Sequence, residues 1–94
     1  EAVGAEGETP AARNVRATWL LAKGDRDSVE QAEATLRDLT REEPDYLPAW
    51  YNLALLLQQT FRNEESLKAW KEYLRREHRP EYREVAESQA ASIE

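Results

Sequence analysis

The sequence predicts an all-α fold, on three observations. Ala, Leu, Glu and Arg dominate its 94 residues while β-branched residues are scarce, and the first group forms helices whereas strands favour the second. Apolar residues recur at spacings of three and four along most of the chain, the period of an amphipathic helix. Thr9-Pro10, Gly24, Pro44 and Pro80 punctuate it with helix start and stop signals.

Size and charge narrow the reading further. The length suits one small domain, and 40 % hydrophobic against 34 % charged residues allows a modest core beside a well-solvated surface. A formal charge of −6 argues against nucleic acid as a partner. Without cysteine there is no disulfide or thiol chemistry. The longest apolar run, Leu53 to Leu57, is far too short for a membrane span. The absence of methionine is expected of a processed product or a segment of a longer chain.

Residues 1–9, with two glycines, three glutamates and no aromatic, read as a flexible tail or linker. Thr9 then caps a helix with Pro10 at its first position, running to Lys23 and stopped by Gly24. Its expected buried stripe is Val15, Trp19 and Ala22, flanked by Ala12 and Leu20. Ser28, with Gln31 three residues on, makes a capping box for a second helix. That helix buries Val29, Ala32, Leu36 and Leu39, and Pro44 ends it. A third helix covers roughly Leu47 to Thr60. Asn63 caps a fourth, with Leu67, Trp70, Tyr73 and Leu74 inside. Pro80 closes that helix or opens a fifth, carrying Tyr82, Val85, Ala86, Gln89 and Ile93 at helical spacing.

An internal repeat emerges from the second and fourth helices. Ala32 and Ser66, Leu36 and Trp70, and Leu39 and Tyr73 stand 34 residues apart, small opposite small and large opposite large. In the third helix, Trp50, Leu53, Ala54 and Leu57 occupy i, i+3, i+4 and i+7. This combination resembles the tetratricopeptide repeat (TPR) family, whose unit has that period and the pattern Trp-x-x-Leu-Gly-x-x-Tyr, then Ala-x-x-x-Phe, then Pro. Trp50 and Leu53 match outright. Ala54, Leu57, Ser66 and Trp70 keep the size class of the family residues, and Pro80 follows.

The resemblance implies a right-handed α-α superhelix of two TPR-like helix-turn-helix repeats plus a C-terminal capping helix. The units would be repeat one at 10–46, repeat two at 47–80 and the cap at 81–94, making 10–94 a single domain. The first helix of repeat one aligns in two ways, with Ala17 and Leu20 at the small and large positions or with Trp19 and Leu20. The family implies a non-enzymatic interaction module whose groove holds a peptide or helix of a partner protein. Tyr51, Asn52, Leu55 and Gln58 would line that groove from the third helix, Asn14 and Thr18 from the first, and Tyr82, Val85 and Gln89 from the fifth. Some members clamp a C-terminal carboxylate with asparagines and cations. Here Asn52 and Asn14 supply the amides, but Tyr82 and Ala86 stand where cations are expected, so that ligand is not.

No catalytic, cofactor or metal site is expected. His78 is the only histidine, and the carboxylates around Pro44 and at Glu64-Glu65 have no His or Cys at ligand spacing. Residues 67–94 balance six basic against six acidic side chains. The Lys68–Arg83 cluster reads as a solvated helix face laced with Glu72, Glu77, Glu81 and Glu84. The alternative to groove binding is an assembly piece that self-associates as a homo-oligomer or docks on its own parent chain.

Overall fold

Capping chemistry sets the helix boundaries in the computed structural model, which describes residues 8–94. Five α-helices occur among these residues: α1 (Pro10–Lys23), α2 (Arg26–Glu42), α3 (Leu47–Gln59), α4 (Asn63–Arg76) and α5 (Pro80–Ala91). The Thr9 hydroxyl accepts from the Ala12 amide at 3.1 Å, and Gly24 leaves α1 in the left-handed region at φ 78°. Asp25, rather than Ser28, caps α2. Its carboxylate accepts from the Ser28 amide at 3.0 Å and the Ser28 hydroxyl at 2.8 Å, so Ser28 is buried inside the first turn. Asn63 likewise lies inside α4, whose cap position is held by Arg62 without a side-chain bond. The fifth helix begins at Pro80 itself. Most of the tail expected at 1–9 lies outside the described residues. Of its last two residues, Glu8 pairs with Arg16 and Thr9 is the α1 cap.

Among the described residues, the α3–α4 turn is the one place where a non-glycine residue takes a positive φ. Phe61 sits at φ 63°, and the amides of Phe61 and Arg62 bond back to the carbonyls of Gln58 and Leu57. Those bonds satisfy the orphaned end of α3 in the Schellman manner, a job usually given to glycine.

Packing follows small residues. α1 lies against α2 and α3 against α4 as helical hairpins, and α3 and α5 each add to the hairpin before them. Ala17, Ala32, Ala49, Ala54 and Ser66 are all fully buried where helices approach. The Ser66 hydroxyl donates to the Ala54 carbonyl at 2.8 Å across the α3–α4 contact. Leu36, Leu39, Leu56, Leu57 and Trp70 fill the gaps those contacts leave. Outside, Glu33, Arg37, Arg62 and Glu65 form one ion-paired group bridging α2 to α4 and its preceding turn.

The first helix differs from its expected orientation. Ala17 and Leu20 are buried, while Val15 and Trp19 are 64 % and 61 % exposed and Ala12 and Ala22 are also outside. The stripe Ala12-Val15-Trp19-Ala22 has good helical spacing, but spacing alone cannot say which of two apolar faces meets α2. In α3, Trp50 is only half-buried, and Ala49 and Leu56 join Leu53, Ala54 and Leu57 in the core. No helix among the described residues is long and apolar enough to cross a membrane.

Candidate functional site

Three consecutive aromatic contacts fix one wall of the candidate site. Tyr51 meets Trp70 edge-on at 5.2 Å between ring centroids and Tyr73 at 5.6 Å, and Trp70 meets Tyr73 at 6.3 Å. Edge-to-face pairs of this kind add about 0.5–1.5 kcal/mol each beyond burial. They hold the α3 surface of Tyr51, with Pro48 one turn before it and Asn52 next to it on the cavity wall, in a set orientation.

Opposite that surface, α5 presents Tyr82 and Val85, each 44 % exposed. Between the two helices lies a cavity of about 360 Å³, walled by Leu47, Pro48, Tyr51 and Asn52 from α3 and by Tyr82 and Val85 from α5. Tyr73 and Arg79 complete it where α4 passes into α5. Pocket volumes of a few hundred Å³ suit one or two large side chains or a small ligand.

The α4–α5 junction supplies the site's polar end. Glu77 is 2 % exposed. It accepts from the Tyr73 hydroxyl at 2.9 Å, from the Arg79 amide and Nε at 3.0 Å each, and from Arg79 Nη2 at 2.9 Å. The Arg79 guanidinium in turn lies 4.0 Å from the Tyr82 ring centre. The Arg79 hydrogen bonds, more than offsetting burial, hold the Glu77 carboxyl down at about 2. Burial first, and Glu77 second, push the Tyr73 phenol up to about 12. Neither group titrates near neutrality, where a general acid or base operates. The solvated acidic position expected at Glu77 is thus a buried carboxylate, because the chain turns there and the side chain folds inward beneath Tyr73.

Of the residues singled out from sequence, Tyr51, Asn52, Tyr82 and Val85 share the cavity wall. Asn14 joins them at one remove: its side-chain carbonyl accepts from Asn52 Nδ2 at 3.0 Å, linking α1 to α3. Gln58 donates to Gln89 at 3.1 Å, linking α3 to α5, and Gln58 also accepts from Trp70 Nε1 at 3.3 Å. These amides are engaged in holding helices together. Leu55 is half-buried against the core. Thr18 is exposed and its hydroxyl donates to the Val15 carbonyl at 2.7 Å, away from the cavity.

Sequence reasoning missed Leu47, Pro48, Tyr73 and Arg79 as wall residues. The signal for the last two was present in Tyr73-x-x-x-Glu77-x-Arg79, which places a phenol one helical turn before a carboxylate and a guanidinium two residues beyond it. No group of three or more His, Cys, Asp or Glu that could hold a metal ion occurs among the described residues. Comparison with known proteins returned no matching family model, no matching curated protein and no matching solved structure.

Proposed function

We propose that the chain is a non-enzymatic interaction module, a short TPR-like array whose α3–α5 cavity takes an extended segment of a partner protein through one large apolar side chain. The observation that carries this reading is the cavity wall itself. Tyr51, Tyr82 and Val85 offer an apolar anchor site, while Asn52, beyond the one N–H it gives to Asn14, has a second N–H and a carbonyl oxygen with which to bond a peptide backbone. Arg79 sits at the rim but is already neutralised by Glu77, so the segment needs no carboxylate to be held. The small-residue contacts at Ala54 and Ser66, and the 34-residue spacing of α2 and α4 positions, support the repeat assignment.

The test is a peptide-display selection on the wild-type chain followed by NMR titration with the selected peptide. Backbone signals of Tyr51, Asn52, Tyr82 and Val85 are expected to shift. Val85→Arg should weaken binding by about tenfold or more, equivalent to about 1.4 kcal/mol, without moving the unfolding midpoint. Equal binding by the two proteins, or shifts confined to another face, would refute the groove.

A second reading is favoured by a separate observation, the exposure of Val15 and Trp19 on α1. It makes the chain an assembly piece that uses this end to join another helical body.

A further inference from the structure

One buried carboxylate organises three of the residues that wall the α3–α5 cavity. Glu77 accepts the Tyr73 hydroxyl at 2.9 Å and takes Arg79 Nε and Nη2 at 3.0 and 2.9 Å. All the guanidinium hydrogens lie in the plane of that group, so the pairing leaves both of its flat faces unused. The group lies over the Tyr82 ring, 4.0 Å from its centre. Glu77 therefore sets Tyr73 through a hydroxyl, Arg79 through an ion pair, and Tyr82 through Arg79. Arg83 ties down the helix that carries Tyr82, donating to the Leu74 and Glu77 carbonyls at the end of α4. Across the cavity, Tyr51 is held by its edge contacts with Trp70 and Tyr73. Both sides are thus fixed before any ligand arrives. Tyr51, Tyr73, Tyr82 and the Arg79 guanidinium present π surface there, beside the aliphatic Leu47, Pro48 and Val85.

We infer that the cavity selects an aromatic side chain of the partner segment, a choice that rests on the groove reading above. Arg79 determines that specificity and Glu77 positions it. Burial alone rewards a saturated and an aromatic side chain alike. A ring gains more here, through edge-to-face contact with Tyr51 and through stacking on the Arg79–Tyr82 pair. Arg79 is exposed and lines the cavity, so its face away from Tyr82 is open to such a ring. Charged side chains are turned away by the same residue. A lysine or arginine would meet its like charge over Tyr82, where the cation–π position is already filled. A carboxylate would compete with Glu77, which already takes the Nε and Nη2 donors of the fork. A stacked ring avoids both conflicts, because it needs neither the charge nor the in-plane donors.

Two capped amino acids of nearly the same shape test this, N-acetylphenylalaninamide and N-acetylcyclohexylalaninamide, each titrated into the isotope-labelled chain and followed by NMR. The phenylalanine amide is expected to move the signals of Tyr51, Tyr82, Val85 and the Arg79 Nε–H. It should bind about threefold or more tightly than the saturated amide, whereas burial alone predicts the reverse order. Arg79→Lys keeps a cation beside Glu77 but lacks the flat fork. That variant should bring the two affinities together with the urea midpoint little changed. Equal or tighter binding of the saturated amide by the wild type would overturn the inference, as would a preference that survives Arg79→Lys. In both cases the groove itself stands if the display-selected peptide still shifts Tyr51 and Val85. No shift from either amide, with the selected peptide shifting another face, would overturn both. Sedimentation decides the source of the ring: a monomer agrees with a partner protein. A dimer dissolved by Phe61→Ser would put the exposed Phe61 of a second copy in the cavity and overturn that partner.

Discussion

The two hairpins solve the same packing problem with different side chains. Between α1 and α2 the gap is filled by Leu20, Leu36 and Leu39 over the small residues Ala17 and Ala32. Between α3 and α4 the corresponding volume is aromatic, with Trp70 and Tyr73 buried and Tyr51 set against both. The aliphatic hairpin has its tryptophan outside, at Trp19, while the aromatic one has Trp70 at 0 % exposure. Residue type therefore does not decide the role of a tryptophan here. What decides it is whether a second helix faces it.

Removing Trp70 should break the comparison most severely. Trp70→Ala deletes a fully buried indole from the meeting point of α3 and α4, and such truncations cost about 3–5 kcal/mol. For a domain of this size that is a large part of the total stability. Urea unfolding followed by far-UV circular dichroism should show a much lower midpoint, or a chain already unfolded in buffer.

Next in size is Glu77, whose counterpart 34 residues earlier, Glu43, also ends its helix but is exposed. Glu77→Ala strands the buried Tyr73 hydroxyl and frees Arg79 from its partner, at a cost of about 1–3 kcal/mol. The same residue makes a pH prediction. Its folded carboxyl is held at about 2 against an ordinary value of 4.5, so the unfolded chain binds the proton more readily. The stabilisation is fully present above about pH 4.5 and is lost as the pH falls toward 2. Urea midpoints measured between pH 6 and 2.5 should fall less steeply for Glu77→Gln than for the wild type.

Much of this molecule was legible in its sequence, and the parts that were not share a cause. Proline and glycine signals placed the helix limits because they act through the local backbone, and the 34-residue spacing found the matched pairs on α2 and α4. The same period failed on α1. The 17-residue α2 starts one turn earlier, relative to its core positions, than the 14-residue α4. That shifts the first helices to a spacing of 37 and turns Trp19 away from the core. Glu77 was hidden for a related reason. Whether an acidic residue after a helix is solvated depends on how the chain turns beneath it, and Pro80 fixes that turn only in combination with Arg79 and Tyr73. Among the candidate groove residues, Gln58 and Gln89 have the composition of a binding surface, but their bond to each other is a tertiary fact.

The turn between α3 and α4 invites a change of opposite sign. Phe61 is 88 % exposed and sits at φ 63°, where a side chain with a Cβ is strained and glycine is not. The hairpin α1–α2 already uses glycine at its own helix end, Gly24 at φ 78°. Phe61→Gly should therefore stabilise the chain by about 0.5–1 kcal/mol, after allowing for glycine's greater freedom when unfolded. A higher melting temperature with an unchanged urea m-value would bear this out, and a lower one would mean that the Phe61 ring contributes packing that its exposure conceals.

The smallest effect is expected from Trp19. It is 61 % exposed, and the Lys23 ammonium lies 5.2 Å from its ring centre. An exposed cation–π contact is worth about 0.5–1 kcal/mol at most, and alanine recovers some of this through its higher helix propensity. Trp19→Ala should move the stability of the chain by no more than about 0.5 kcal/mol in either direction, against several for Trp70→Ala. A conserved midpoint would show that Trp19 plays no part in holding this chain together, which leaves its apolar surface available to a partner. A loss near that of Trp70→Ala would place Trp19 within the core of the first hairpin and remove the basis for a docking stripe on α1.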